Sequence, residues 1–317
     1  MKNSMNKISI IGGAGRVGET TALVIAEQGL CREVALLDVG EGAAEGAARD
    51  IQQSASFFRF DVQIHGGHDP AIIGDSDLVI VTAGSPRKPG MSRGDVLQTN
   101  RAVIDGIIEQ VLQYAPHALL LLVTNPVDAL TWYAWKQTGW NRSRVFGQGG
   151  ILDASRMANS ITQETGLSSK DIQTLVIGGH DDTMVPLFRF SSISGIPVTK
   201  FLDPAASERV AEHTRNGGAE VLALRKTSSA YNAPAAAIAT MVDAISHDRK
   251  RILPCVCVLD GEYGECDITV GVPAVLGSQG IERVIELDLN EGEMAAFRHS
   301  LGSIRNSIDL LYSTGQS

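Results

Sequence analysis

The sequence predicts an α/β fold: a doubly wound parallel sheet in the first half, followed by an α+β unit in the second. Three observations carry that prediction. Short runs rich in Val, Ile and Leu alternate with segments of helical periodicity up to residue 150. Strands that apolar are buried on both faces, as parallel strands are. A glycine-rich turn directly follows the first apolar run, and beyond residue 150 the alternation gives way to long helices and strands broken by Gly and Pro.

Taken in order, residues 7–11 read as a short strand, and residues 16–28 as a helix that stops at Gly29. Residues 33–38 form a second strand and residues 46–56 a second helix. A buried strand at 78–82, a long helix at 96–114, a strand at 118–123 and a helix at 127–138, ended by Gly139, complete the first unit. In the second half, residues 152–165, 204–224, 233–246 and 291–311 have helical character. Residues 253–259, 268–272 and 284–286 read as strands. The expected division is a dinucleotide-binding domain over 1–150 and a catalytic domain over 151–317. No low-complexity linker separates them, so close packing is expected.

The chain of 317 residues is 44 % hydrophobic and 20 % charged, which suits a soluble globular protein. Its net charge of −9 argues against nucleic acid as a partner, which needs a basic face. The longest aliphatic run, residues 118–123, is too short to span a bilayer, and the polar start does not read as a secretory signal. Cys255 and Cys257 share one face of a strand, and with only Cys266 nearby they read as core thiols, not metal ligands. A reducing cytoplasm fits four such cysteines.

The turn after the first strand reads Gly12-Gly13-Ala14-Gly15-Arg16-Val17-Gly18. Two registers are legible: Gly13-x-Gly15-x-x-Gly18, and the looser Gly12-x-x-Gly15-x-x-Gly18. Either supplies a tight turn, backbone N–H groups for a pyrophosphate, and a helix N-terminus facing its charge. Asp38 ends the next strand, 20 residues after Gly18. A carboxylate there accepts from ribose hydroxyls and repels a 2′-phosphate, so a Rossmann-type domain that prefers NAD to NADP is expected.

Of seven histidines, His180 stands apart. It follows an apolar strand and two glycines, which leave room for a ligand, and an imidazole is the usual proton acceptor near neutral pH. His213, His247 and His299 lie on polar-faced helices, and His65 and His68 have no third ligand at metal spacing. In Leu152-Asp153-Ala154-Ser155-Arg156, Asp153 and Arg156 share a helix face. One could orient an imidazole and the other grip a carboxylate with two parallel hydrogen bonds. The bland alternatives are a surface ion pair and a helix cap. The stretch 83–94, with Arg87, Lys88 and Arg93 among Pro and Gly, follows a buried strand where ligands bind in open α/β sheets. It reads either as a solvated loop or as a lid carrying arginines to an anionic substrate.

These segments, together with Thr124-Asn125-Pro126, Gly178–Pro186, Ala230-Tyr231-Asn232-Ala233-Pro234 and Val270-Gly271-Val272-Pro273, resemble the malate and lactate dehydrogenases, most closely the lactate-dehydrogenase-like malate dehydrogenases. The resemblance covers nearly the whole chain. It implies hydride transfer between NAD and a small 2-hydroxy acid, with His180 as general base and Asp153 as its partner. It further implies that Arg156 binds the C1 carboxylate, that Arg93 polarises the reacting carbonyl, and that Asn125 bonds the substrate oxygen. A cis Asn125–Pro126 bond is expected from the same resemblance. The cofactor site would be formed by Gly12, Gly13, Ala14, Gly15, Arg16, Val17, Gly18, Asp38, Thr82, Ala83, Gly84, Asn100, Val123, Thr124 and Asn125. A homotetramer, or else a dimer, is implied as well.

Arg87 stands where lactate-type relatives tend to carry Gln, so the resemblance implies malate as substrate. A buried cation left unpaired by pyruvate costs several kcal/mol. Ala230 leaves room for the larger acid. Two positions depart from the family pattern. Asp181 replaces the Gly usual after the histidine, and a second carboxylate there is expected to raise the His180 pKa or to repel a dianion, unless it points away. Asn232 stands where an aromatic is common.

Overall fold

The computed structural model describes residues 5–85 and 93–312. The first half is built of β1 (Met5–Ile11), α1 (Arg16–Glu27), β2 (Cys31–Leu37), α2 (Ala43–Phe58), β3 (Gln63–Gly67), β4 (Leu78–Val81), α3 (Arg93–Tyr114), β5 (Leu119–Leu122), α4 (Val127–Thr138) and β6 (Val145–Gly147). These six strands are parallel, in the order β3-β2-β1-β4-β5-β6. The order reverses between β1 and β4. Both strands therefore deliver their C-terminal ends to one crevice, where open α/β sheets bind ligands. Helix α1 packs with α2 and with α7 (Asn232–Ser246), and α3 with α4 and with α8 (Glu291–Tyr312). Ile8, Ile10, Val34, Leu36, Leu78, Val79, Ile80 and Val81 are all without exposure, as strands covered on both faces must be.

The second half opens with α5 (Gly150–Thr165). Five two-residue strands follow: β7 (Ile172–Gln173), β8 (Val176–Ile177), β9 (Val185–Pro186), β10 (Ser192–Ile193) and β11 (Ile196–Pro197). Then come α6 (Pro204–Arg225), α7 (Asn232–Ser246), β12 (Arg251–Asp260), β13 (Cys266–Gly277), β14 (Gly280–Val284) and α8 (Glu291–Tyr312). A smaller core around Met157, Ile161, Ile193 and Val210 joins α5 and α6 to the short strands.

The structure differs from the sequence reading at several strands: β6, β7, β9, β10 and β11 have no counterpart in it. Strands β12, β13 and β14 do not form a sheet of their own. They extend the parallel sheet antiparallel through the pairing of Val256 with Gly147, giving nine strands among the described residues. The final strand begins at Gly280 instead of residue 284, because Gly277 pairs with Gly280 across a two-residue turn. Strand β3 was not expected, since Gln63-Ile64-His65-Gly66-Gly67 has a single buried residue, Ile64, and reads as polar. It is an edge strand, and Gly66 lies so close to α2 that a Cβ there would sit 2.0 Å from the Ala44 carbonyl oxygen.

Cys31, Cys255 and Cys257 are buried and Cys266 is exposed. Burial pushes the Cys31 and Cys255 thiols up to about 12, so both stay protonated. No described helix is long and apolar enough to cross a membrane.

Candidate active site

The glycine loop joins β1 to α1 at the switch point. Its glycines divide the work unequally. Gly12 takes the left-handed turn, with φ +84, and a Cβ there would lie 2.6 Å from the Ala83 nitrogen. A Cβ on Gly13 would meet Leu36 at 2.7 Å, and one on Gly18 the Gly12 oxygen at 2.4 Å. Gly15 is different: it caps α1, is exposed, and its nearest obstacle is the Gly12 oxygen at 3.2 Å. The first three glycines serve packing, whereas Gly15 leaves the approach to the helix N-terminus open.

No side chain caps α1. The N–H groups of Arg16, Val17 and Gly18 occupy its first turn, which precedes any intrahelical acceptor. Asp38, just past β2, accepts from the Ala14 N–H at 3.0 Å and from the Val39 N–H at 2.9 Å. A bare helix N-terminus with a carboxylate beside it fits the two ends of an adenosine diphosphate: pyrophosphate on the N–H groups and ribose on Asp38.

The far side of the crevice is formed by the ends of β4 and β5. Thr82 and Ala83 donate backbone N–H groups to the Ile11 oxygen at 2.9 and 3.0 Å, and the Thr124 hydroxyl donates to the Ala83 oxygen at 2.6 Å. A Cβ on Gly84 would meet Thr124 Cγ2 at 2.5 Å. Val123 continues β5 by donating to the Val81 oxygen. Asn100 was expected to line the cofactor site, but it is 2 % exposed. Its Oδ1 accepts from the Ser85 N–H at 2.7 Å and its Nδ2 donates to the Asn125 oxygen at 2.7 Å. Asn100 therefore ties two crevice loops together. Asn125 itself is exposed, and the Asn125–Pro126 bond is cis.

The second half supplies the proton-handling groups. Asp153, on the first turn of α5, is 1 % exposed. Its Oδ2 lies 2.7 Å from His180 Nδ1, and its Oδ1 accepts from Arg156 Nη1 at 2.8 Å. One carboxylate thus holds both the imidazole and the guanidinium, an ion pair within the shared helix face that is buried and not on the surface. With Nδ1–H given to Asp153, Nε2 is left as the acceptor. Burial alone would lower the His180 pKa, but Asp153, by charge and hydrogen bond, more than offsets it, and the net shift is upward.

The His180 loop is clamped from three sides. Gly178, with φ +91, exchanges two backbone hydrogen bonds with Gly271 of β13, at 2.9 and 3.1 Å. The Gly179 N–H donates to Ser300 Oγ of α8 at 2.7 Å. The His180 N–H donates to Asp128 Oδ2 of α4 at 2.8 Å. The Asp181 carboxylate is engaged by its own turn and by α8. Its Oδ1 accepts from the Thr183 N–H and hydroxyl at 2.8 and 2.6 Å, and its Oδ2 from the Ser303 hydroxyl at 3.3 Å. Of the readings open for Asp181, these contacts favour the one in which its carboxylate is turned away from the imidazole.

Arg93 begins α3, at the edge of the crevice loop. Arg87 and the side chain of Arg93 lie outside the described residues. Three features went unnoticed in the sequence. Asp128 gives no signal beyond being an acid in the first turn of a helix. Gly217 and Gly218, inside α6, lie against the Arg156 side chain, where added Cβ atoms would each approach it to 3.1 Å. Tyr231 sits between Arg16 and Arg225, whose guanidinium carbons lie 5.5 and 4.3 Å from its ring centre. That stack links the glycine loop to the α6–α7 connection. Two arginines and a half-buried Tyr make the stack, and their spacing in sequence hides it.

Comparison with known proteins bears on this geometry. Residues 6–147 match the family model for the lactate/malate dehydrogenase NAD binding domain, and residues 151–314 that for the lactate/malate dehydrogenase alpha/beta C-terminal domain. The chain is 57 % identical over 305 residues to a malate dehydrogenase of Nitrosococcus oceani, covering 96 % of this chain and 98 % of that one. It is 58 % identical over 307 residues to one of Thioalkalivibrio sulfidiphilus, covering 97 % and 100 %. Among solved structures, malate dehydrogenase of Cryptosporidium parvum superposes with a TM-score of 0.94 at 35 % identity, covering 97 % of this chain and 99 % of that one. Lactate dehydrogenase of the same organism, complexed with lactic acid and nicotinamide adenine dinucleotide, gives 0.94 at 34 % identity, covering 98 % and 99 %.

Proposed function

We propose, from the premise that the chain belongs to the lactate/malate dehydrogenase family, that His180, Asp153 and Arg156 carry out an NAD-dependent interconversion of malate and oxaloacetate. It is an oxidoreductase of the malate type, as its relatives are named. The observation that carries the residue roles is the single buried Asp153 carboxylate bonded to both His180 and Arg156.

In the direction of malate oxidation, His180 Nε2 accepts the C2 hydroxyl proton. NAD, when bound, supplies the acceptor for the hydride leaving C2. Asp153 keeps Nδ1 protonated and stabilises the imidazolium as it forms. Arg156 holds the C1 carboxylate, oriented by the same Asp153. Arg93 polarises the C2 oxygen as charge develops there, and Asn125 donates a hydrogen bond to it. The glycine loop from Gly12 to Gly18 receives the pyrophosphate and Asp38 the adenosine ribose. Thr82, Ala83, Gly84, Val123 and Thr124 shape the nicotinamide side, with Asn100 bracing it.

Arg87 sets the choice of acid. Its cation pairs with the C4 carboxylate, which pyruvate lacks, and leaving it unpaired penalises the smaller substrate. The same reading places the chain in the reducing cytoplasm, at the malate step of the tricarboxylic acid cycle, as a homotetramer or a dimer with 1–150 and 151–317 as its domains. The test is to follow NADH consumption with oxaloacetate and pyruvate in parallel. Rapid turnover of oxaloacetate with little on pyruvate is expected. Preference for pyruvate would overturn the role of Arg87 and leave that of His180 standing.

A further inference from the structure

Asp128 is a buried carboxylate that the reaction just described does not use. It is 7 % exposed and stands in the first turn of α4, three residues after Asn125. Its Oδ2 does not cap its own helix but accepts the backbone N–H of His180 at 2.8 Å. Its Oδ1 is buried and has no hydrogen-bond partner among the described residues. Its carbonyl oxygen accepts from the Thr269 hydroxyl at 2.7 Å, and Thr269, on β13, is fully buried. Two residues further along β13, Gly271 holds Gly178 of the His180 loop. The turn that carries Asn125, the loop that carries His180 and strand β13 therefore close a triangle with Asp128 at one corner.

We infer that Asp128 is a positioning residue for the proton transfer: it fixes the His180 backbone against the Asn125 turn and places a second negative charge, besides that of Asp153, near the imidazole. The inference rests on the reading of His180 as the general base.

Two kinds of observation support it. A carboxylate is a costly choice for a nearly buried position whose second oxygen is unpaired, and an Asn would satisfy the same N–H. The charge thus has a purpose besides the hydrogen bond. It is favoured by the N-terminus of α4 and lies close enough to His180 to raise its pKa. Burial in turn pushes the Asp128 carboxyl up to about 7, so its charge is present only from near-neutral pH upward. Among the described side chains, Asp153 also raises the His180 pKa and Arg156 opposes it, while Asp181 is turned toward Thr183 and Ser303.

Removing the Asp128 charge removes a contribution that raises the His180 pKa, so the acid limb of malate oxidation moves to lower pH. Asp128→Asn keeps the shape and an acceptor for the N–H, whereas Asp128→Ala removes both. For Asp128→Asn we expect the kinetic pKa to fall by about half a unit or more with NADH affinity unchanged. For Asp128→Ala we expect kcat to fall about ten-fold or more, because the His180 N–H is left unpaired and the loop is released. If both variants keep the parent pH profile and a kcat within two-fold, Asp128 is only a helix-terminal acid and the inference is wrong. Should Asp128→Ala fail to fold, the pH profile of Asp128→Asn decides alone. His180→Asn serves as the control: if it retains activity, the reading of His180 fails, whatever Asp128 does.

Discussion

Gly217→Ala makes a sharp test because stability and function should move in opposite directions. Two adjacent glycines in the interior of a 22-residue helix are unfavourable by about 1 kcal/mol each relative to Ala. If they were merely tolerated, replacing one would raise Tm and change nothing else. In α6, however, they face Arg156. A Cβ on Gly217 would lie 3.1 Å from Arg156 Cδ and 3.5 Å from Cγ, and one on Gly218 would lie 3.1 Å from Nη2. The side chain must then give by a few tenths of an ångström. It cannot do so freely, because its Nη1 is held at 2.8 Å by the buried Asp153. The shift is passed to the guanidinium plane, and a two-bond grip on a carboxylate depends on that plane. A partial loss of about 1–2 kcal/mol is expected, so KM for oxaloacetate should rise about five- to thirty-fold. The Kd for NADH, measured by fluorescence, should not change, since the glycine loop is untouched. Thermal denaturation should show an equal or higher Tm. A raised Tm with unaltered KM would refute the reasoning. Arg156→Lys run alongside shows whether Arg156 itself binds the substrate: if its KM is normal, the error lies in the role of Arg156 and not in the glycines.

Three further outcomes are expected. Asp153→Asn should lower kcat for malate oxidation roughly a hundred-fold or more. It removes the main influence that raises the His180 pKa, so the residual acid limb should lie at lower pH; a limb at the parent pH would contradict the pairing. Arg87→Gln should cut kcat/KM for oxaloacetate about a hundred-fold, the worth of ~3 kcal/mol for a charge-assisted pair. It should improve turnover of pyruvate, and parallel progress curves with the two acids measure both. Asp181→Gly should leave the pH–rate profile in place, because the carboxylate is turned toward Thr183 and Ser303. It should lower Tm modestly through the lost turn, and a shifted profile would mean that Asp181 acts on the imidazole after all.

The parts of the site legible in the sequence are those whose chemistry is local. The glycine loop, Asp38 and the Asp153–Arg156 pair each sit within a few residues of a recognisable helix or strand terminus. The loop's division of labour was not legible. Which glycine bends, which packs and which stays open depends on Ala83, Leu36 and the Gly12 carbonyl, and the first two come from the segment after β4 and from β2. In the parallel half of the sheet, β1, β2, β4 and β5 followed from their apolar runs, while β6, three residues long, did not. The sheet's continuation through β12 did not either, because the junction is one pair, Val256 with Gly147, between segments 109 residues apart. Strand β3 escaped because an edge strand needs only one buried residue in five.

The same reasoning explains why the groups around His180 were the hardest to foresee. His180 is named by its own neighbourhood, but its position is set by Gly271, Ser300 and Asp128, from β13, α8 and α4. None of the three carries a chemical signature that ties it to His180, although Gly271 lies in a segment of the family resemblance. A Gly in a strand, a Ser in a helix and an Asp in the first turn of a helix are ordinary choices there. What distinguishes them is where each places one atom: a Gly271 Cβ would lie 2.6 Å from the Gly178 oxygen, and Ser300 Oγ meets both the Gly179 N–H and the Thr183 hydroxyl. Substitution at Ser300 should therefore reach the imidazole through two hydrogen bonds, although the residue belongs to a helix with no part in the chemistry. Function in this fold is assembled from local chemical signals, but its geometry is held by contacts distant in sequence.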